Sequence, residues 1–377
     1  MATYKEQNKL NVPHLRFPEF HGEWEKCKLG DIAILTKGSG ISKDQRSATG
    51  TPCILYGELY TTYKSEVIDY VVSKTDISDK NLVRSCANDI IIPSSGETAI
   101  DISTARCVLS PDVLLGGDLN IIRLNDGDGR FFSYQLNGVR KYDIAKIAQG
   151  VSVVHLYGES IKGLTVSFPS NKEQQKISTL LSLIDERIAT QSKLIEKLES
   201  LIKGIMVELQ KQGVNKGTWK QVFLSDVLTE RNELNTNLFQ VFSVSVSQGV
   251  VNQVDFLGRS FAAKDTFKYN VVHYGDLVYT KSPTGSFPYG IVKQSLNLEN
   301  VAVSPLYGVY KTKSLAVGAY LHEYFMSEIN THNYLHPLIQ KGAKNTINIT
   351  NQRFLENCVL LPKNINEFCR FQSCYVL

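Results

Sequence analysis

The side chains that could carry covalent or metal chemistry in this chain are scattered rather than grouped. Seven cysteines (Cys27, Cys53, Cys86, Cys107, Cys358, Cys369 and Cys374) are odd in number and never form a C-x-x-C pair, so neither a disulfide framework nor a zinc site is indicated and a reducing compartment is expected. His155, His322, His332 and His336 have no metal-like companions. Asp126-Gly127-Asp128-Gly129 resembles a calcium loop but lacks the later glutamate, so a plain turn is expected there. No G-x-x-x-x-G-K-[ST] phosphate loop and no H-E-x-x-H pair occurs, and no metal site is expected. What remains is hydrogen-bonding chemistry in short polar turns: Ser94-Ser95-Gly96, Gln149-Gly150-Val151-Ser152, Lys281-Ser282-Pro283-Thr284 and Lys341-Gly342-Ala343-Lys344. Such turns recognise; they do not cleave.

The elements that must position these turns repeat. Trp24-x4-Leu29-x-Asp31-Ile32 recurs as Trp219-x4-Leu224-x-Asp226-Val227, 195 residues later. Asn88-Asp89-Ile90-Ile91-Ile92 before Pro93-Ser94-Ser95-Gly96 recurs as Gly275-Asp276-Leu277-Val278-Tyr279 before Thr280-Lys281-Ser282-Pro283-Thr284-Gly285. Gln149-Gly150-Val151-Ser152 leading to Val166-Ser167-Phe168-Pro169 recurs as Lys341-Gly342-Ala343-Lys344 leading to Val359-Leu360-Leu361-Pro362. Three landmarks in one order indicate an internal duplication with a period far longer than that of solenoid repeats. In both copies short β-branched and aromatic runs (residues 32–35, 67–72, 90–92, 241–246, 277–279 and 301–310) are punctuated by Gly, Asn, Asp and Pro, which predicts sheet-rich domains with short helices near 129–139 and 316–329. Trp24 and Trp219 are expected to anchor the two cores.

Between the copies lies a different pattern. Ile177, Leu181, Ile184, Ile188, Gln191, Ile195, Leu198, Ile202, Ile205 and Leu209 follow in alternating steps of four and three, a heptad seam widened by Leu180, Leu194 and Leu201. Charged residues such as Asp185, Glu186, Arg187, Glu196, Lys197, Glu199 and Lys203 take the other faces. Ser170 and Glu173 have capping-box spacing, and Gly213 is placed to terminate. The helix is predicted over 171–212, roughly 60 Å long at ~1.5 Å per residue. The fold class is therefore α+β: two duplicated sheet-rich domains, 1–170 and 213–362, separated by a long coiled-coil helix, with an irregular tail over 363–377.

Composition sets outer bounds. The chain is 42% hydrophobic and 21% charged over 377 residues, ordinary for globular domains. Its 41 basic and 37 acidic residues give a net charge of +4, which allows a nucleic-acid partner without arguing for one. The polar opening MATYKEQNKLN and the absence of any bilayer-length apolar run point away from a membrane and toward the cytoplasm.

With these residues in view, the chain resembles the specificity subunit of Type I restriction-modification systems. The stretches VPHLRFPEFHGEWEKCKLGDI (from Val12) and FPSNKEQQKI (from Phe168), with the duplicated domain–helix plan, carry the resemblance. It implies two target-recognition domains, each reading one half of a split double-stranded DNA sequence, and helices paired in an antiparallel coil. The coil fixes the gap between half-sites and docks two modification (methyltransferase) subunits, which restriction (endonuclease and translocase) subunits then join. A helix of about 60 Å would span roughly 18 base pairs at ~3.4 Å each. S-adenosylmethionine, ATP and Mg are expected in the partner subunits, with no cofactor in this chain. A self-sufficient adenine methyltransferase would need a glycine-rich cofactor loop and an Asn/Asp-Pro-Pro-aromatic site, and neither occurs. The alternative from another class is a coiled-coil adaptor that does not bind DNA; a nuclease with an unrecognised acidic site is a third.

A DNA reader needs phosphate contacts for affinity and base-edge contacts for specificity. The candidates in the first domain are Ser94, Ser95, Gly96, Arg106, Lys146, Gln149 and Ser152; in the second, Lys281, Ser282, Thr284, Lys341, Lys344 and Asn345. Gln and Asn suit adenine, Arg and Lys guanine. After Pro362 the duplication calls for a second helix of about forty residues, and LPKNINE begins like FPSNKEQ. FCRFQSCYVL then carries no heptad, so a shifted frame or truncation is expected there, leaving the seam to self-associate or to be covered by another subunit.

Overall fold

The computed structural model describes residues 11–78, 81–260, 262–263, 265–341 and 347–364, with residues 341, 347 and 348 described for their backbone. The chain divides into two compact units, residues 1–194 and 195–377.

In the first unit, strand Glu25–Lys28 pairs antiparallel with Thr165–Phe168, so the start and end of the sheet region are tied together. Between them runs a five-stranded sheet in the order Ala33–Lys37, Leu119–Leu124, Asp89–Pro93, Arg106–Val108, Val67–Ile68. All pairs are antiparallel except the last. The uninterrupted apolar run at 90–92 is explained by burial on both faces. Ile90 and Ile92 pack with Phe131, Phe132 and Leu136 of helix Gly129–Asn137, while Ile91 points the other way, onto Leu115, Leu119 and Ile121. Each such side chain contributes on the order of 1.5–3 kcal/mol. A smaller sheet joins Lys74–Thr75, Thr51–Ile54 and Leu114–Leu115.

The second unit repeats this framework. Trp219–Phe223 pairs antiparallel with Cys358–Pro362, and a four-stranded sheet runs Leu228–Glu230, Gly308–Thr312, Leu277–Tyr279, Val292–Gln294. These are the duplicated counterparts of the first four strands, in the same spatial order. Leu277 and Tyr279 face Val317, Tyr320 and Leu321 of helix Leu315–Met326, and Val278 faces Val303 and Val309. The tryptophans anchor both copies alike: Trp24 meets Phe131 edge-on at 5.6 Å and 66°, and Trp219 meets Tyr320 at 5.6 Å and 66°. Asp126–Gly129 is the expected turn, where Asp128 caps the following helix by accepting from Arg130 N at 2.9 Å.

The central helix spans Asn171–Asn215, 45 residues, three beyond its expected end. Gly213 does not terminate it. That glycine is buried inside the last turns, where a Cβ would lie 1.8 Å from Trp219 Cδ1, so it is small to admit the indole. The left-handed terminator is Gly217, at φ +65. At the other end Glu173 does not serve the expected reciprocal cap; its buried carboxylate takes two bonds from the Arg16 guanidinium, both 2.7 Å. Residues before the middle bind the first unit, with Asp185 accepting from Tyr134 OH at 2.6 Å and Ile177 packed on its core. Later ones bind the second: Met206 is buried, Ile202 and Leu209 pack on its core, and Gln210 donates to Tyr320 OH at 2.7 Å. The seam between is exposed, at Ile184, Ile188, Ile195, Leu198 and Ile205 with the widening Leu180, Leu194 and Leu201.

The expected irregular tail falls mostly on residues 365–377, outside the described residues, as do Lys344, Asn345, Cys369 and Cys374. No disulfide forms among Cys27, Cys53, Cys86, Cys107 and Cys358, no helix among the described residues is long and apolar enough to cross a membrane, and no metal-holding cluster occurs among them.

Candidate nucleic-acid interface

The structure brings the first unit's two candidate turns together. Gln149 and His155 exchange backbone hydrogen bonds (2.9 and 2.7 Å), closing a hairpin over residues 150–154. Gly150 makes that closure possible, because at φ +123 a Cβ would lie 2.1 Å from Val153 O. The outgoing strand Val154–His155 then pairs with Ser95–Gly96, and Leu156 N donates to Ser94 O at 2.9 Å. Lys146, Gln149 and Ser152 are exposed around this hairpin, and Val151 at its tip is 96% exposed. Ser95 is buried in the ladder and Ser94 half-buried, so Ser95 and Gly96 position the hairpin through their backbone.

Arg106 is a correction. It sits within a fully buried strand, its Nε donating to Leu59 O (3.2 Å) and its Nη2 to Tyr63 O (3.0 Å), with Glu66 at 3.7 Å. Burial lowers its pKa, against the pull of Glu66. A guanidinium used inside in this way is not offered to a ligand.

Beside the hairpin lies a cleft that reading along the sequence did not find. Ser94 N donates to Asp118 O at 2.7 Å, and Asp118 is on the rim of an open cavity of about 1010 Å3. Its walls come from three distant segments: Gly40 to Arg46, Leu55 to Thr62, and Gly117-Asp118. Ile41 and Leu55 are buried beneath it, while Ser42, Lys43, Gln45, Arg46, Thr61 and Thr62 are exposed. The only sequence signal was the polarity of KGSGISKDQR, which any solvated loop would share. The arrangement offers hydrogen-bond donors and acceptors above an apolar floor, which suits the edges of flat polar molecules.

In the second unit the candidates stay apart. Gln340 pairs antiparallel with Asn348 and Lys341 with Ile347, at the place where the duplication puts the second hairpin. The described residues show no ladder from it to the 281–284 turn. Lys281 is itself held at φ +60, and its half-buried amine has a pKa lowered by burial, opposed by Glu230. Ser282 is exposed; Thr284 closes its own small turn with Phe287 through paired backbone bonds of 3.0 Å.

Residues 21–200 match the family described as the Type I restriction modification DNA specificity domain. The chain is 26% identical over 221 residues to the Type I restriction enzyme MjaVIII specificity subunit of Methanocaldococcus jannaschii, covering 57% of this chain and 47% of that protein. It is 27% identical over 227 residues to the putative MjaX specificity subunit of the same organism, covering 57% and 51%. The chain thus spans about half the length of the curated relatives it matches. Its fold is similar to that of the S subunit of a Type I restriction-modification system from M. genitalium, with a TM-score of 0.61 at 14% identity over 99% of this chain and 90% of that one. With its duplicated sheet units joined by a heptad helix, this chain is similar in sequence to specificity subunits of Type I restriction-modification systems and shares the fold of one of them.

Proposed function

We propose that the chain reads a bipartite double-stranded DNA sequence, one half-site per sheet unit, with the central helix setting the gap. Modification subunits dock on the helix and restriction subunits join them; S-adenosylmethionine, ATP and Mg belong to those partners, and this chain recognises rather than catalyses. Such an assembly works in the cytoplasm. The observation that carries the reading is the duplicated framework itself, in which the same strand order and the same tryptophan anchor recur on either side of one helix. An adaptor working through the helix alone has no use for that duplication.

The test is binding of the purified chain to random and selected duplex DNA at several salt concentrations. A reader neutralising several phosphates loses affinity steeply as salt rises, with a log–log slope near −0.9 per phosphate. Undetectable binding at low salt would leave only the adaptor. The exposed seam on the helix is proposed to take another helix, from a second copy or a partner subunit. Light scattering should find the isolated chain self-associated, and a variant with Leu181, Ile188, Ile195 and Ile202 made polar should be smaller; a monodisperse monomer before substitution would contradict this.

A further inference from the structure

We infer that Arg46 reads a guanine in the half-site bound by the first unit, and that Glu58 is its positioning residue. The inference rests on the reading of the chain as a DNA binder.

Arg46 follows the short turn Lys43–Gln45 on the wall of the cleft, and that loop is pinned from both sides. Ser42 N donates to Gln45 Oε1 (2.8 Å), Thr75 Oγ1 to Gln45 O (2.7 Å) and Ser47 N to Lys74 O (2.8 Å). The guanidinium is held in turn. Its Nε donates to Lys43 O at 3.3 Å and its Nη1 lies 3.6 Å from Glu58 Oε1. Glu58 is a built support: 6% exposed, it accepts from Leu55 N at 2.9 Å and from Ser73 Oγ. Arg46 itself keeps 39% of its side chain open, and among the described residues nothing takes its Nη2.

This arrangement favours direction over charge. A phosphate needs a free cation, and a carboxylate at 3.6 Å offsets much of the pull that Arg46 could exert. What the carboxylate supplies is a fixed orientation for a planar fork of N–H donors, the geometry that matches O6 and N7 of guanine in the major groove. The cleft's rim residue Asp118 is tied through the Ser94 contact to the strand that carries the hairpin.

The experiment is selection of randomised duplexes by the full-length chain, followed by affinity measurements on the enriched sequence. Wild type should enrich a site with a G·C pair at a fixed position in one half. Arg46→Ala should lose discrimination at that pair alone, by about 5- to 150-fold, leaving the rest of the site intact. Arg46→Lys should retain part of it, and Glu58→Gln should weaken the same position by less. Emission from Trp24, in the same unit, serves as the check on folding. A uniform loss across sequences with a salt slope smaller by about one would make Arg46 a phosphate contact and overturn the inference, as would an unaltered site. Enrichment of no sequence by wild type would instead overturn the DNA-binding reading, and this inference with it.

Discussion

Asp89 and Asp276 occupy the same place in the two units, at the start of the buried central strand, yet they recruit their arginines from different strands. Asp89 takes Arg123 from the neighbouring strand Leu119–Leu124, with bonds of 2.8 and 2.6 Å. Asp276 takes Arg231, which follows the edge strand Leu228–Glu230, with bonds of 2.6 and 3.0 Å. Both carboxylates also accept a backbone N–H three residues back, from Cys86 and from His273. The requirement is a neutralised carboxylate at that turn, and the source of the charge is free to vary. The same holds on a larger scale. The first unit builds its cleft against the small sheet Thr51–Ile54, whereas the second has the hairpin Phe242–Ser245 with Gly249–Asn252 and the ladder Asn270–Val272 with Val301–Val303. A framework held by core packing thus tolerates divergent surfaces, which is what the proposed reading of two different half-sites requires.

The largest expected effect sharpens this comparison at the tryptophans. Trp219 is nearly fully buried and Trp24 half-buried, so Trp219→Ala should cost about 3–5 kcal/mol and Trp24→Ala clearly less. These are the chain's two tryptophans, so in each variant the remaining indole reports whether the other unit still folds while circular dichroism follows the whole. Equal losses would break the ranking.

Acid should separate the units next. His322 is half-buried in the second unit and its Nδ1 accepts from Gln294 N at 2.9 Å, which requires that nitrogen to be unprotonated. Burial, with Lys293 nearby, lowers its pKa from 6.5 to about 4. A base whose folded pKa is depressed exacts nothing above its unfolded value and destabilises the fold as pH falls from 6.5 toward 4, here by on the order of 3 kcal/mol. Urea unfolding followed by Trp219 emission should show that acid limb, and His322→Gln should flatten it. An identical limb in the variant would contradict the assignment. Lys293, whose amine burial lowers to about 8, works on the alkaline side: stability rises as pH goes from about 8 to 10.5. The smallest effect concerns Gly213→Ala, where a Cβ must displace the Trp219 ring; a loss of about 1–3 kcal/mol is expected in the second unit, measured by the same unfolding.

What the sequence disclosed and what it hid follow from the range of the interactions. The duplicated landmarks, the strand runs and the heptad are local patterns, and each produced its element: Ile90 to Ile92 became a strand buried on both faces, Ile177 to Leu209 one helix. Gly213 was misread because a terminating glycine and one that admits an indole look alike until Trp219 folds back. Glu173 has the spacing of a cap but answers to Arg16, 157 residues away. Arg106 looked free because alternation cannot tell a strand buried on both sides from one with a wet face. The cleft joins three segments remote in sequence, and no local rule places Arg46 against Glu58.

The central claim is that the two units read independently and the helix holds them in register. Exchanging residues 24–168 for the first unit of another specificity subunit, then selecting randomised duplexes with the chimera, tests it most directly. The account predicts that one half-site changes while the other half and the gap are kept. A change in both halves, or in the gap, would contradict it.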